Sequence, residues 1–149
     1  MRFLLVDRIA EHVSDTSIRG WKNVAMSEDY LEWHFPEQPI MPGMLILEAC
    51  AQLAGWLEAA SSDCERWFHL ERVRSGRYYD FALPGDRIDI TLERVADEDP
   101  ARRVYRAETS VDGKRGATLE FEGRVTPLAD LEDPAIARRT WKQLRGEQA

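Results

Sequence analysis

From Met41 to Ala60 the chain is almost wholly apolar, and only Pro42, Glu48, Gln52 and Glu58 interrupt it besides its glycines. A helix that is hydrophobic on nearly every side has to be buried. Its carboxylates and amide exclude a membrane span. The rest of the chain must therefore build a wall around it. Ala49, Ala51, Ala54, Gly55 and Ala59 are small, so that wall can come close to the helix backbone. Pro42 suits a first helical turn, where a missing N–H costs little. Ser61-Ser62-Asp63 supplies the stop. The pattern predicts a helix from about Gly43 to Ala60.

The wall reads as strands. Ile88, Ile90 and Leu92 alternate with Asp89, Thr91 and Glu93, a period of two. Tyr105, Ala107, Thr109 and Val111 give another apolar face, and Ala117, Leu119, Phe121 and Val125 a third. Asp112-Gly113 between them is a two-residue hairpin signal. Leu4–Val13 and Ile18–Ala25 read as strands flanking a turn at Ser14-Asp15-Thr16. Trp67–Arg74 and Arg77–Phe81 give weaker strand patterns. Ser27-Glu28-Asp29 suits one short helical turn, and Pro84-Gly85-Asp86 a tight turn. From Asp130 onward the chain is charged and reads as a tail or a surface helix. The expectation is an α+β fold, one antiparallel sheet of about six strands wrapped round one long central helix. Such a sheet leaves open edges, which predicts a homodimer joined at one of them.

A length of 149 residues suits a single domain spanning 1–149. The net charge of −7 argues against nucleic acid or an anionic membrane as the main partner. Cys50 and Cys64 lack metal-ligand spacing and read as free thiols, with Cys50 in the core. Phe3-Leu4-Leu5-Val6 is too short for a signal peptide, so a cytoplasmic location is expected.

The chemistry concentrates between His34 and Gln52. A carboxylate on a buried helix is costly unless it is paired, neutral or in use. Glu48 is such a group. Upstream, Pro39-Ile40-Met41-Pro42-Gly43 forms a stiff turn that aims amides at the helix mouth, and His34 lies just before it. A base, an acid and a set of free N–H groups thus fall close together. His12 and His69 lack such surroundings and read as structural or solvated; Trp56, Met44 and Leu47 read as core. Arg66, Arg72, Arg74 and Arg77, with Arg102, Arg103 and Arg106, read first as a solvated face. Their functional reading is a landing patch for an acidic partner.

Phe3-Leu4-Leu5-Val6-Asp7-Arg8, Lys22-Asn23-Val24, His34-Phe35-Pro36, Pro39-Ile40-Met41-Pro42-Gly43, Glu48-Ala49-Cys50-Ala51-Gln52 and Pro84-Gly85-Asp86 follow one another in order. In this the chain resembles the β-hydroxyacyl-[acyl carrier protein] dehydratases of the FabZ/FabA type, and the FabZ type more closely. The resemblance runs from Phe3 to about Val125. It implies a hot-dog fold and the removal of water from a 3-hydroxyacyl thioester, without cofactor or metal, in fatty-acid or polyketide-type synthesis. By the same resemblance His34 would be the base, Glu48 the acid and Gly43 the amide facing the thioester oxygen. Gln52 would orient Glu48. Phe68, Tyr78 and Phe81, with Tyr79, read first as core aromatics, and the first three second as the lining of an acyl tunnel. The acyl carrier protein would be the partner, and each site would be shared between the subunits of a homodimer; trimers of such dimers occur in the family. Glutamate rather than aspartate at position 48 favours plain dehydration to the trans-2-enoyl product.

The chain departs from the pattern in places. Glu37 stands where the family usually has glycine, and Phe81 where it usually has proline. Ser61–Ser75, with Trp67 and several charges, is also unusual, which leaves acyl length open. Two rival readings keep the fold and change the activity. One is a hot-dog thioesterase, which needs a carboxylate and a helix-start amide but no histidine base. The other is a non-catalytic acyl-binding partner subunit.

Overall fold

The computed structural model describes residues 3–147. Strand β1 (Arg8–Val13) turns into β2 (Ser17–Asn23), and a loop with one 3-10 turn (Asp29–Glu32) leads to helix α1 (Gly43–Ser61). Strands β3 (Arg66–Tyr78), β4 (Arg87–Val95), β5 (Arg103–Val111) and β6 (Lys114–Pro127) follow, and helix α2 (Pro134–Arg145) closes the order. The six strands form one sheet in the order β1-β2-β4-β5-β6-β3, with every neighbouring pair antiparallel.

The apolar helix is where its composition requires it to be. Leu53, Leu57, Ala54 and Cys50 of α1 are fully buried, as are Leu92, Tyr105, Ala107 and Phe121 of the sheet. Each large side chain buried in this way contributes about 1.5–3 kcal/mol. Glycine is needed where β1 pairs with β2: a Cβ on Gly20 would collide with the Arg8 carbonyl, whereas Leu53 Cδ1 of α1, at 3.4 Å, would be an ordinary contact. At the Asp112-Gly113 hairpin both residues have positive φ, 49° and 77°, as a two-residue turn demands. Among the described residues no helix is long and apolar enough to cross a membrane.

The carboxylate that α1 buries is Glu58, at 1% exposure, and not Glu48, which is half-buried. The Tyr105 hydroxyl and the Arg103 Nε both donate to Glu58 Oε1, and the Arg66 Nε donates to Oε2 at 2.6 Å. Burial works to raise the Glu58 carboxyl. The hydrogen bonds from Tyr105 and Arg66, and the charges of Arg103 and Arg66, outweigh it and hold the group below its ordinary value.

Three expectations need correction. The first strand starts at Arg8 rather than Leu4, because Leu5 N–H pairs with the Gln52 side chain instead of a neighbouring strand. The two weak strands before Pro84 are one, β3, whose register shifts between Leu70 and Arg72 and again between Val73 and Ser75. Two bulges break the period that would have revealed it. Met44 is not core; it is 73% exposed at the helix mouth.

Of the two readings for the charged C-terminus, the helix is present. Asp133 caps α2 by accepting from Ala135 N–H at 2.9 Å, Pro134 opens it, and Gly146 ends it at φ 74°. Trp141 docks it, with its ring 6.2 Å from Trp56 and the edge of His12 5.5 Å away. Burial and the Arg145 charge lower the His12 imidazole against the opposing pull of Asp15.

Candidate active site

The segment between β2 and α1 is pinned at several points. Gly85 N–H donates to Val24 O at 2.8 Å and Val24 N–H to Asp86 O at 2.8 Å, so the Pro84-Gly85-Asp86 turn clasps the exit of β2. Met41 N–H then donates to Ala82 O at 2.9 Å, which ties the approach to α1 to the same turn. Within the loop, Phe35 and Gln38 exchange backbone hydrogen bonds around Pro36-Glu37. Glu37 sits exposed at the tip and does not take a positive φ. The turn therefore has no need of glycine there, and the carboxylate points to solvent rather than inward.

His34 is held at both ends of its residue. Its carbonyl accepts from Ile40 N–H at 2.9 Å, and its Nδ1–H donates to Ile40 O at 3.1 Å. A carbonyl can only accept, so the proton of the neutral ring is on Nδ1 and the Nε2 lone pair is left free. The Phe35 ring stacks on the imidazole with centroids 4.2 Å apart.

Glu48 is positioned by Gln52, one turn later on the same face of α1. Gln52 Oε1 accepts from Leu5 N–H at 2.9 Å, and its Nε2 donates to Phe3 O at 2.9 Å. Those backbone partners fix which end of the amide is which. The remaining N–H reaches Glu48 Oε1 at 3.0 Å. With Oε1 occupied as an acceptor, Oε2 is the oxygen available to carry a proton.

Gly43 opens α1 without a side-chain cap, since Pro42 precedes it. The first amides of a helix have no partner within it and favour negative charge. Tyr78, at the end of β3, packs on Gly43: its hydroxyl donates to Gly43 O at 2.7 Å, and a Cβ on Gly43 would lie 2.9 Å from its Cε1. Nothing in the sequence pattern marked this contact, because Tyr78 lies beyond both bulges of β3.

A cleft of about 390 Å³ runs from Glu48 between α1 and β3, lined also by Ala51, Trp67, Phe68, Leu70 and Leu131. Phe68 thus borders it, although most of its ring is core against Tyr105 and Phe121. Phe81 is 69% exposed and lines a different hollow with Ile46 and Ile88. Within one chain the three tunnel candidates are not brought to one place. No hydrogen bond among the described residues joins His34 to Glu48. Cys50 is fully buried and its thiol is pushed up to about 12, so it offers no nucleophile.

Most of the arginine patch is committed elsewhere. Arg66 and Arg103 hold Glu58. Arg74 binds Glu122, Asp97 and Glu120, Arg102 binds Asp97, and Arg106 binds Glu93 and Glu120. Arg72 and Arg77 are exposed, and among the described residues neither has a carboxylate partner.

This arrangement has known relatives. The FabA-like domain family model matches residues 1–120. The chain is 36% identical over 134 residues to the 3-hydroxyacyl-[acyl-carrier-protein] dehydratase FabZ of Nitratidesulfovibrio vulgaris (strain DSM 19637 / Miyazaki F), covering 87% of this chain and 85% of that one. It is 38% identical over 125 residues to the FabZ of Dechloromonas aromatica (strain RCB), covering 80% and 85%. Among solved structures, a hot-dog-like protein from Thermanaerovibrio acidaminovorans superposes with a TM-score of 0.63 at 21% identity, covering 91% of this chain and 96% of that one. The chain belongs to the FabA-like family, among the hot-dog dehydratases of the FabZ type.

Proposed function

We propose that the protein dehydrates a 3-hydroxyacyl thioester, carried on an acyl carrier protein, to the trans-2-enoyl thioester. His34 Nε2 takes a proton from C2 while the Gly43 N–H receives the charge that grows on the thioester oxygen. The electrons of the C2–H bond form the C2=C3 double bond. The C3–O bond breaks, and Glu48 Oε2 gives its proton to the departing hydroxyl, which leaves as water. The proton on His34 then returns to Glu48 through solvent, which restores both groups. Acid–base help of this kind contributes about 10²–10⁴-fold per group, and one oxyanion donor roughly 3–4 kcal/mol.

The observation that carries this reading is the Nδ1–H tie from His34 to Ile40 O, which leaves Nε2 as a base. The rival hydrolysis requires no histidine base at this position. The two groups belong to different copies of the chain in a cytoplasmic homodimer. The support is the edge of β3, where residues 71–78 are all exposed and unpaired on their outer side. Pairing two such edges joins their free backbone groups and leaves their side chains on the faces of the sheet. Arg72 and Arg77 remain as the cations that meet an acidic carrier.

The test is incubation with a 3-hydroxyacyl thioester. Growth of the enoyl absorbance without free thiol, lost in both His34→Ala and Glu48→Gln, is the expected result. Release of free thiol would mean hydrolysis and would end the proposal.

A further inference from the structure

We infer that Trp67 and Leu131 bound the site for the acyl chain and limit the protein to chains of short to medium length. The inference rests on the reading of Glu48 as the acid at the reacting end of that site. Glu48, Ala51, Gln52 and Gly55 lie on one stripe of α1, because residues three and four apart stack on a helix. The cleft is lined by Glu48, Ala51 and Gln52, but Gly55, next along the stripe, is covered. What covers it is Trp67: a Cβ on Gly55 would collide with the indole. Trp67 is held there by the ring of Trp56, edge-on at 5.2 Å between centroids.

The cleft is therefore polar at the Glu48 end and closed by an indole at the other. Its walls between are Ala51, Phe68 and Leu70, which are apolar, with His69 beside them. From Glu48 to Gly55 the helix advances about 10 Å. An extended chain advances ~1.2 Å per bond, so about eight bonds fit before the indole.

Leu131 is the outer wall, 61% exposed, and it comes from beyond residue 120, where the match to the FabA-like family model ends. Its place is fixed from both sides. Leu128 is buried and its N–H donates to Glu65 O at 2.9 Å, while Asp133 caps α2 just after it. Trp141 of that helix packs on Trp56, the residue that braces Trp67. The C-terminal segment thus both covers the cleft and supports its end.

The test uses the whole protein and saturated acyl-pantetheine thioesters of increasing length, with affinity read by calorimetry so that no turnover is needed. The wild type is expected to bind more tightly with each carbon and then to break at about eleven carbons, about eight bonds beyond the C3 that faces Glu48. In Trp67→Ala each carbon beyond that limit should tighten binding about fourfold. Trp67→Phe, which keeps an aromatic brace and secures the test should the smaller variant not fold, should move the break by a smaller step. Leu131→Ala should weaken the chains near the limit several-fold and leave the shortest ones unchanged. A break that stays in place in the folded Trp67 variants would overturn the inference. Thioesters that bind with this limit but lose no water as their 3-hydroxy forms would sink the proposed reaction alone. Efficient dehydration of chains far beyond the limit would sink the length limit alone.

Discussion

Gln52 Nε2 donates to Glu48 Oε1 at 3.0 Å, and the same amide is anchored to the backbone of Phe3 and Leu5. Glu48, the proposed acid, is thus oriented by a residue whose own direction is set by main chain. Replacing Gln52 by Glu keeps an acceptor for Leu5 N–H but removes both donors and sets a second carboxylate beside Glu48. The expected outcome is a kcat lower by about tenfold or more, the worth of one such hydrogen bond, with KM nearly unchanged. Steady-state kinetics decide it; an unaltered kcat would mean that Glu48 needs no such holder.

A site divided between two copies makes a sharper demand. His34→Ala and Glu48→Gln homodimers should each lose activity by about 10²-fold or more. Mixing them under conditions of subunit exchange should restore one working site in each mixed dimer. Failure to regain activity, with exchange shown by mass spectrometry, would count against the shared arrangement.

Gly43 and Tyr78 are coupled by packing. In Gly43→Ala the new methyl would lie 2.9 Å from Tyr78 Cε1, so the ring or the helix mouth must shift. Loss of a well-aimed oxyanion donor costs roughly 10²–10³ in kcat. The double variant Gly43→Ala/Tyr78→Ala removes the clash and should recover part of that loss. A double-mutant cycle with strictly additive effects would show that the ring does not press on the amide.

The central helix and the hairpin of β5 and β6 were legible in the sequence because a single strong pattern governs each. An apolar run and a period of two leave little choice, and Asp112-Gly113 names its own turn. β3 was read as two weak strands because its two bulges break a regular alternation. Its exposed residues also carry no core face to betray it. The likeness of Glu48 and Glu58 on one apolar helix hid their different fates. Only the arginines of β3 and β5 and the hydroxyl of Tyr105, distant in sequence, decide which is sealed in. His34, Gly43, Glu48 and Gln52 were found together because they lie in one short stretch. Trp67 and Leu131 border the same cleft from β3 and from beyond β6, so local spacing could not join them to it.

A substitution at Arg77, proposed to meet the carrier, separates recognition of the carrier from recognition of the acyl group. Among the described residues Arg77 has no carboxylate partner, whereas Arg74 is held by Glu122, Asp97 and Glu120. Arg77→Glu should therefore lower kcat/KM for a carrier-bound substrate several-fold and leave the same acyl group on pantetheine unaffected. The gap should narrow as salt is raised. Equal effects on both substrates would remove Arg77 from the carrier surface.

Glu58 gives the fold a dependence on acid that is separate from catalysis. Its carboxyl is held below its ordinary value by Tyr105, Arg66 and Arg103 despite burial. The unfolded chain then binds the proton more readily than the folded one. The stabilisation is fully present above the ordinary carboxylate value of about 4.3. It is lost as pH falls from there through the lower folded value. Glu58→Gln leaves two guanidinium groups facing a neutral amide and should cost about 3–5 kcal/mol near neutrality. For a chain of this size that lowers Tm by ~2–4 °C for each kcal/mol. Denaturant titrations of both proteins should show the gap between them closing as the solution is taken below about pH 4. A gap that stays constant down to the acid limit would mean that Glu58 enters the folded state already protonated.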